Sequence, residues 1–155
     1  MIDVDVNLMP QKFLVKTVAS AGAGSIMYGI VVILMNYFAP IVGIIAGFIS
    51  GVGLVVLNGK DEEDNMDISP VNLLYFAGVA IVSLLIGYII IYYFKTEIIH
   101  GMPYYPKDFI TLTEFILSTL RIPDILSTMT GGLIAFSLSD KISAVYRYFR
   151  GGPPV

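Results

Sequence analysis

One histidine, no cysteine and a single acidic run are what this sequence offers a metal ion or a proton. His100 stands in a stretch with Gly101, Pro103, Tyr104 and Tyr105. Alone, it could supply one ligand of a metal shared between subunits, but a solitary histidine in a loop reads as a surface residue. The acids between Asp61 and Asp67 could attract a divalent cation through their oxygens. Their spacing does not follow an EF-hand loop and the central glycine is missing, so the run reads as solvated. Absence of cysteine excludes disulfides, iron–sulfur ligation and thiolate zinc sites. One histidine excludes a bis-histidine haem within one chain.

Nucleophilic catalysis finds no better footing. Serine is plentiful, but no histidine is placed to activate it. No lysine falls inside the apolar stretches to make an intramembrane Ser–Lys pair. Gly22-Ala23-Gly24 lies within an apolar helix, where a phosphate cradle has no place. Asp140 is the only ionisable candidate inside an expected span. With Lys141 beside it, it reads as an interfacial or capping residue. The expectation is a protein that is not an enzyme and has no cofactor and no metal.

The elements around these residues belong to a bilayer. Hydrophobic residues make up 56% of the 155 and charged residues 14%, against about 25% charged in a soluble domain. The mean hydropathy is +0.81. Net charge is −3, with no basic stripe, so nucleic acid is excluded as a partner. A span needs about 20 apolar residues, and the first candidate is Thr17–Phe38. The apolar run is longer than a signal-peptide core and reads as a retained span. Asn36-Tyr37-Phe38-Ala39-Pro40 breaks it, and Pro40 suits the start of a second helix, Ile41–Leu57. A polar, acidic loop over residues 58–70 follows, and Ser69-Pro70 opens a third span, Val71–Phe94, ending in the interfacial anchor Tyr92-Tyr93-Phe94-Lys95. Residues 96–106 read as a loop. Lys107–Arg121 has helical periodicity, with Phe109, Leu112, Phe115, Ile116 and Leu120 on one side and Thr111, Glu114 and Ser118 on the other. It is too short and polar to span and reads as a surface helix. Pro123-Asp124 starts the last span, residues 124–145, whose apolar part is short and continues as an amphipathic extension. The fold class expected is an all-α integral membrane protein, a four-transmembrane-helix bundle with one amphipathic surface helix, forming a single domain.

Small residues recur every fourth position in these spans: Ala21, Ser25 and Gly29; Gly43, Gly47 and Gly51, a double GxxxG; the weaker pair Ser83 and Gly87; and Ser127, Gly131, Ala135 and Ser139. Lipid is as apolar as leucine, so helices gain by close backbone approach, which a small-residue face permits. The glycine stripe of the second span is expected to face the first span and close that hairpin. Tyr28 and Tyr88 fall near mid-span, where each hydroxyl needs a partner on a neighbouring helix.

Lys12, Lys16, Lys60, Lys141, Arg147 and Arg150 fall on one side of this topology and Lys95, Lys107 and Arg121 on the other. The majority side is the cytoplasmic one, so both termini are expected inside, in the cytoplasmic membrane of a prokaryote. Packing motifs without catalytic residues point to a membrane subunit or scaffold whose partners are lipid and other membrane subunits, or copies of itself. The alternative is a small oligomeric pore or passive transporter for a neutral solute, with Ser127, Thr128, Thr130, Ser137 and Ser139 facing water.

Overall fold

A computed structural model describes residues 8–35, 37–58, 70–99 and 102–151. Both the acidic run and His100 lie outside the described residues. Three long helices come first: α1 (Leu8–Met35), α2 (Pro40–Asn58) and α3 (Pro70–Phe94). Pro40 and Pro70 each open a helix, where a missing N–H costs nothing. The same ring biases the preceding residue away from helix, and α1 stops at Met35 rather than running to Phe38. Phe38 therefore belongs to the connection, a placement that matters below.

A two-stranded hairpin follows α3, with β1 (Glu97–Ile99) antiparallel to β2 (Met102–Tyr104). A 3-10 turn at Pro106–Asp108 leads to α4 (Leu112–Thr119). The surface helix expected over 107–121 is thus only eight residues long. Its start is set by a capping box, in which Thr111 Oγ1 accepts from the Glu114 amide and Glu114 accepts from the Thr111 amide. The Thr111 amide and, after it, the Thr111 hydroxyl donate to the Glu114 carboxylate and hold it below the usual carboxylate range. Phe115 is buried beneath α4, while Phe109, expected on the same apolar side, is exposed because it precedes the helix.

The last span also differs from a single helix over 124–145. It is α5 (Ile122–Ser137) and α6 (Ser139–Phe149), bent by 64° at Leu138. Asp140, Lys141 and Arg147 on α6 would be costly in lipid, and α6 turns away with none of its residues buried. Three helices are long and apolar enough to cross a membrane, or four if the bent pair is one span.

The close contacts give the topology. Positions 24 and 53 of α1 and α2 meet residues 46–50 and 20 respectively, so these helices are antiparallel. Thr17 bonds Tyr75 at 2.8 Å and Gly29 packs on Gly87 and Ile90, so α1 and α3 run parallel. Gly43, Gly47 and Gly51 meet positions 124–128, 128–132 and 132–135, so α2 and α5 run parallel. The result is an up–down–up–down bundle. One apolar cluster, including Tyr28, Val32, Leu84, Tyr88, Ile91 and Phe115, fills the end where α5 begins. Another, including Ala21, Leu54, Phe76, Val79 and Phe136, fills the opposite end.

The expected pairing of the α2 glycine stripe with α1 is not what the structure contains. Gly43, Gly47 and Gly51 face α5. Helix α2 has a second small face, Ala46 and Ser50, and this one meets Gly24 of α1. Contact between α2 and α5 is backbone to backbone: a Cβ on Gly47 would strike the Thr128 carbonyl, and one on Gly131 the Ile44 carbonyl.

A methyl group at either position must therefore separate two backbones. Gly47→Ala is expected to destabilise the folded protein by about 1–3 kcal/mol. Gly22→Ala and Gly78→Ala, where a Cβ meets nothing within 4 Å, are expected to be neutral or slightly stabilising. Thermal unfolding of the four proteins in one detergent checks the ordering.

Candidate functional site

Asp124 enters the bundle at the third helical position of α5. Ile122 and Pro123 precede it in the first turn, and a carboxylate suits this end of a helix dipole. Only 1% of the residue is exposed. An unpaired carboxylate in such a place is strongly disfavoured, and its surroundings answer that. Arg121, one turn earlier, donates from Nε to Asp124 Oδ2 at 3.2 Å and from Nη2 to Oδ1 at 3.5 Å. The Arg121 side chain is half-exposed, so the pair bridges a buried acid and the surface. The carboxylate's hydrogen bond and charge hold the guanidinium above its ordinary range.

Tyr88 of α3 donates to the same Oδ2 at 3.2 Å, with the Thr119 carbonyl at 3.4 Å as a second acceptor for its single proton. Its ring is held on three sides. Phe38 stacks on it at 5.4 Å between centroids, Tyr28 at 6.0 Å, and Phe115 lies tilted at 6.3 Å. One step up α3, Tyr92 donates to the Ile110 carbonyl at 2.6 Å and ties down the approach to α4. The Asp124 carbonyl in turn accepts from Ser127 at 3.0 Å and Thr128 at 2.7 Å. Arg121 Nη2 also reaches across to the Phe38 carbonyl at 2.7 Å. The acid of Asp124 thus connects α5 to α3, and Arg121 connects it to the α1–α2 connection.

The Tyr28 hydroxyl is fully buried near that of Tyr88, without hydrogen-bond geometry to it or to any other described group. Ser83, deeper in α3, is the second buried hydroxyl without a partner among the described residues. The expectation of a partner for each mid-span tyrosine therefore meets two outcomes, a carboxylate for Tyr88 and none for Tyr28.

Asp140, the ionisable residue singled out from the sequence, is exposed at the start of α6. The buried acid is Asp124, which the sequence presents only as a helix start. A readable signal existed: an arginine and an acid three apart, beside two mid-span tyrosines in need of partners. The small residues are distributed as follows. Ala21, Ser25 and Gly29 are buried on α1, and Ser83 and Gly87 on α3, where Gly87 lies against Tyr28. On α5, Ser127, Gly131 and Ala135 are buried toward α2, while Ser139 is half-buried past the bend. The five hydroxyl residues considered for a water path do not share a face: Ser127 and Thr128 are buried, Thr130 and Ser137 exposed. No group of metal-ligating side chains occurs among the described residues.

This chain matches no known protein family, no curated protein and no solved structure.

The cluster makes a stability prediction with an internal control. Arg121→Gln strands a buried charge and is expected to lower the unfolding midpoint strongly. Arg121→Gln combined with Asp124→Asn is expected to recover most of that loss, since the charge to be compensated is gone. Tyr88→Phe, which removes one donor to the carboxylate, is expected to cost about 1–3 kcal/mol. A double-mutant cycle on unfolding midpoints in detergent checks all three.

Proposed function

We propose that the chain is a non-catalytic integral membrane subunit or scaffold, packed through its small-residue faces and docked on a larger membrane complex. The observation that carries this reading is the inward direction of its polar groups. Asp124 is occupied by Arg121 and Tyr88. The hydroxyls of Ser20, Ser25, Ser50, Ser127 and Thr128 bond carbonyls of their own helices. Groups used this way hold a bundle together and are not presented to a substrate or a moving solute. The separation of Ser127 and Thr128 from Thr130 and Ser137 also favours the scaffold over a path lined by these hydroxyls.

Packing inside the chain leaves an apolar exterior for lipid and partners. On α1 it includes Val18, Ile26, Ile30 and Leu34, and on α3 Leu74, Leu85 and Ile89. At the end where α5 begins, Leu117 and Ile122 are more than 70% exposed. Such residues suit either acyl chains or the helices of another subunit, since both are equally apolar.

Native mass spectrometry on protein extracted gently from its own membrane tests the proposal. The expected result is a complex with other polypeptides in fixed ratio, lost when Gly47→Leu or Gly131→Leu spreads α2 from α5. A homo-oligomer that gives mutation-sensitive solute flux in liposomes would replace the scaffold with a pore.

A further inference from the structure

Helix α6 has no buried residue, and an isolated helix of its length is marginal in water. Something outside the bundle has to cover one of its faces. We propose that α6 lies in the headgroup layer of the bilayer and binds anionic lipid, with Val145, Tyr148 and Phe149 toward the acyl chains and Arg147 and Arg150 at the phosphates.

The helix has three distinct sides. Ser139, Ile142, Ser143 and Tyr146 are half-buried and turn toward the bundle, Ile142 against the apolar cluster that includes Leu54, Phe76 and Phe136. Val145, Tyr148 and Phe149 are exposed, Phe149 at 81%. Asp140, Arg147 and Arg150 are exposed as well, and their mean direction lies about 165° from that of the three apolar residues. An apolar side opposite a charged one suits a helix that lies along a membrane surface rather than across it. Lys141 falls beside Tyr148 at the edge of the apolar side, where its stem can lie on lipid while its ammonium reaches outward.

The bend sets the depth. Gly51 of α2 packs on Ala135 of α5, so Leu138 stands about one turn short of the end of α2 at Asn58. The eleven residues of α6 make about 16 Å of helix. Directed 64° from α5, that helix advances about 7 Å along the α5 axis and about 15 Å across it. With α5 near the bilayer normal, this matches the headgroup region of one leaflet, about 5–7 Å deep beyond the hydrocarbon.

Charge agrees with this placement. Three cations, Lys141, Arg147 and Arg150, stand against one acid, Asp140. Lys141 and Arg147 have no ion pair among the described residues, and Arg150 rests 5.7 Å from the centre of the Tyr146 ring. The helix is net positive and complementary to lipid phosphate. Lipid is favoured over a protein partner because the apolar and charged sides separate at the level where the bilayer itself changes from hydrocarbon to phosphate.

The chain has no cysteine, so single cysteines can carry a nitroxide in the full-length protein held in lipid nanodiscs. Val145→Cys, Arg147→Cys and Phe149→Cys label the two sides of α6, and Ile30→Cys on the exposed face of α1 gives the acyl-chain standard. Labels at positions 145 and 149 are expected to collide with oxygen in preference to a water-soluble nickel chelate, as at position 30, with that preference several-fold lower at 147. Preference for the chelate at all three positions puts α6 in water and overturns the proposal. Shielding of 145 and 149 from both reagents overturns it in favour of a protein covering. Lipid charge is read separately. The label at 149 is expected to sit deeper in phosphatidylglycerol than in phosphatidylcholine, and Arg147→Gln with Arg150→Gln is expected to abolish the difference. Equal depth in the two lipids overturns the binding of anionic lipid. So does a shallower label in phosphatidylglycerol, which repulsion from the acidic run of residues 61–67 that follows α2 would produce.

Discussion

A carboxylate shut away from water by surrounding helices has to be compensated where it stands. Asp124 is that constraint here, and the geometry of one end of the bundle follows from it. Arg121 must lie one helical turn before it, which places the start of α5 against the connection between α1 and α2, where the Phe38 carbonyl accepts a second arginine bond. Tyr88 must aim its hydroxyl at the acid, and a ring so directed is held by Phe38, Tyr28 and Phe115. Phe115 is the one buried residue of α4. The short helix, the connection and two spans therefore converge on one side chain. Such a charge pair is weak evidence for net stability, because apolar replacements can serve as well. What it does provide is a single arrangement, since alternative registers would leave the acid without its partners.

Along the rest of the bundle the determining term is steric. Between helices in lipid, apolar burial contributes little, and dispersion between closely approaching backbones takes its place. Helix α2 has two small faces whose mean directions lie about 80° apart and so approaches two neighbours at once, α5 through Gly43, Gly47 and Gly51 and α1 through Ala46 and Ser50. The reciprocal placement of Gly47 on Thr128 and Gly131 on Ile44 means that neither helix can shift alone. Hydroxyls bonded back to their own carbonyls let Ser and Thr take part in these faces as small residues.

Much of this organisation was legible in the chain. Apolar length marks the first three helices, and Pro40 and Pro70 mark two of their starts, because those signals are local. A fourth-position repeat tells that a face is small but not which neighbour it meets. That choice depends on every other face, which is why the α2 stripe could be read and its partner α5 could not. Asp124 was hidden for a related reason. An acid in the first turn of a helix is the ordinary solvated case, and its burial follows only once α3, α4 and the Phe38 connection close around it. The extent of α4 was recoverable, since Thr111 and Glu114 have the spacing of a capping box within the longer apolar period.

The length of α5 explains why polar chemistry gathers at this end. Its 16 residues extend about 24 Å, against roughly 30 Å of hydrocarbon. The contact partner of Asp124, Tyr88, lies well before the end of α3 at Phe94, and about six residues of helix correspond to ~9 Å. Helix α5 therefore begins below the rim that α3 defines, and the rim has a notch above it. The segment after α3 descends over this notch, tied by Tyr92 to the Ile110 carbonyl, and α4 covers part of it with Phe115. What stays uncovered is the groove beside Arg121. A notch at that depth brings polar lining down toward hydrocarbon level, and a short span is commonly accommodated by thinning the bilayer or by flanking polar residues reaching for the interface. Arg121 stands at this notch, satisfied by Asp124 on the protein side while half of its side chain stays exposed.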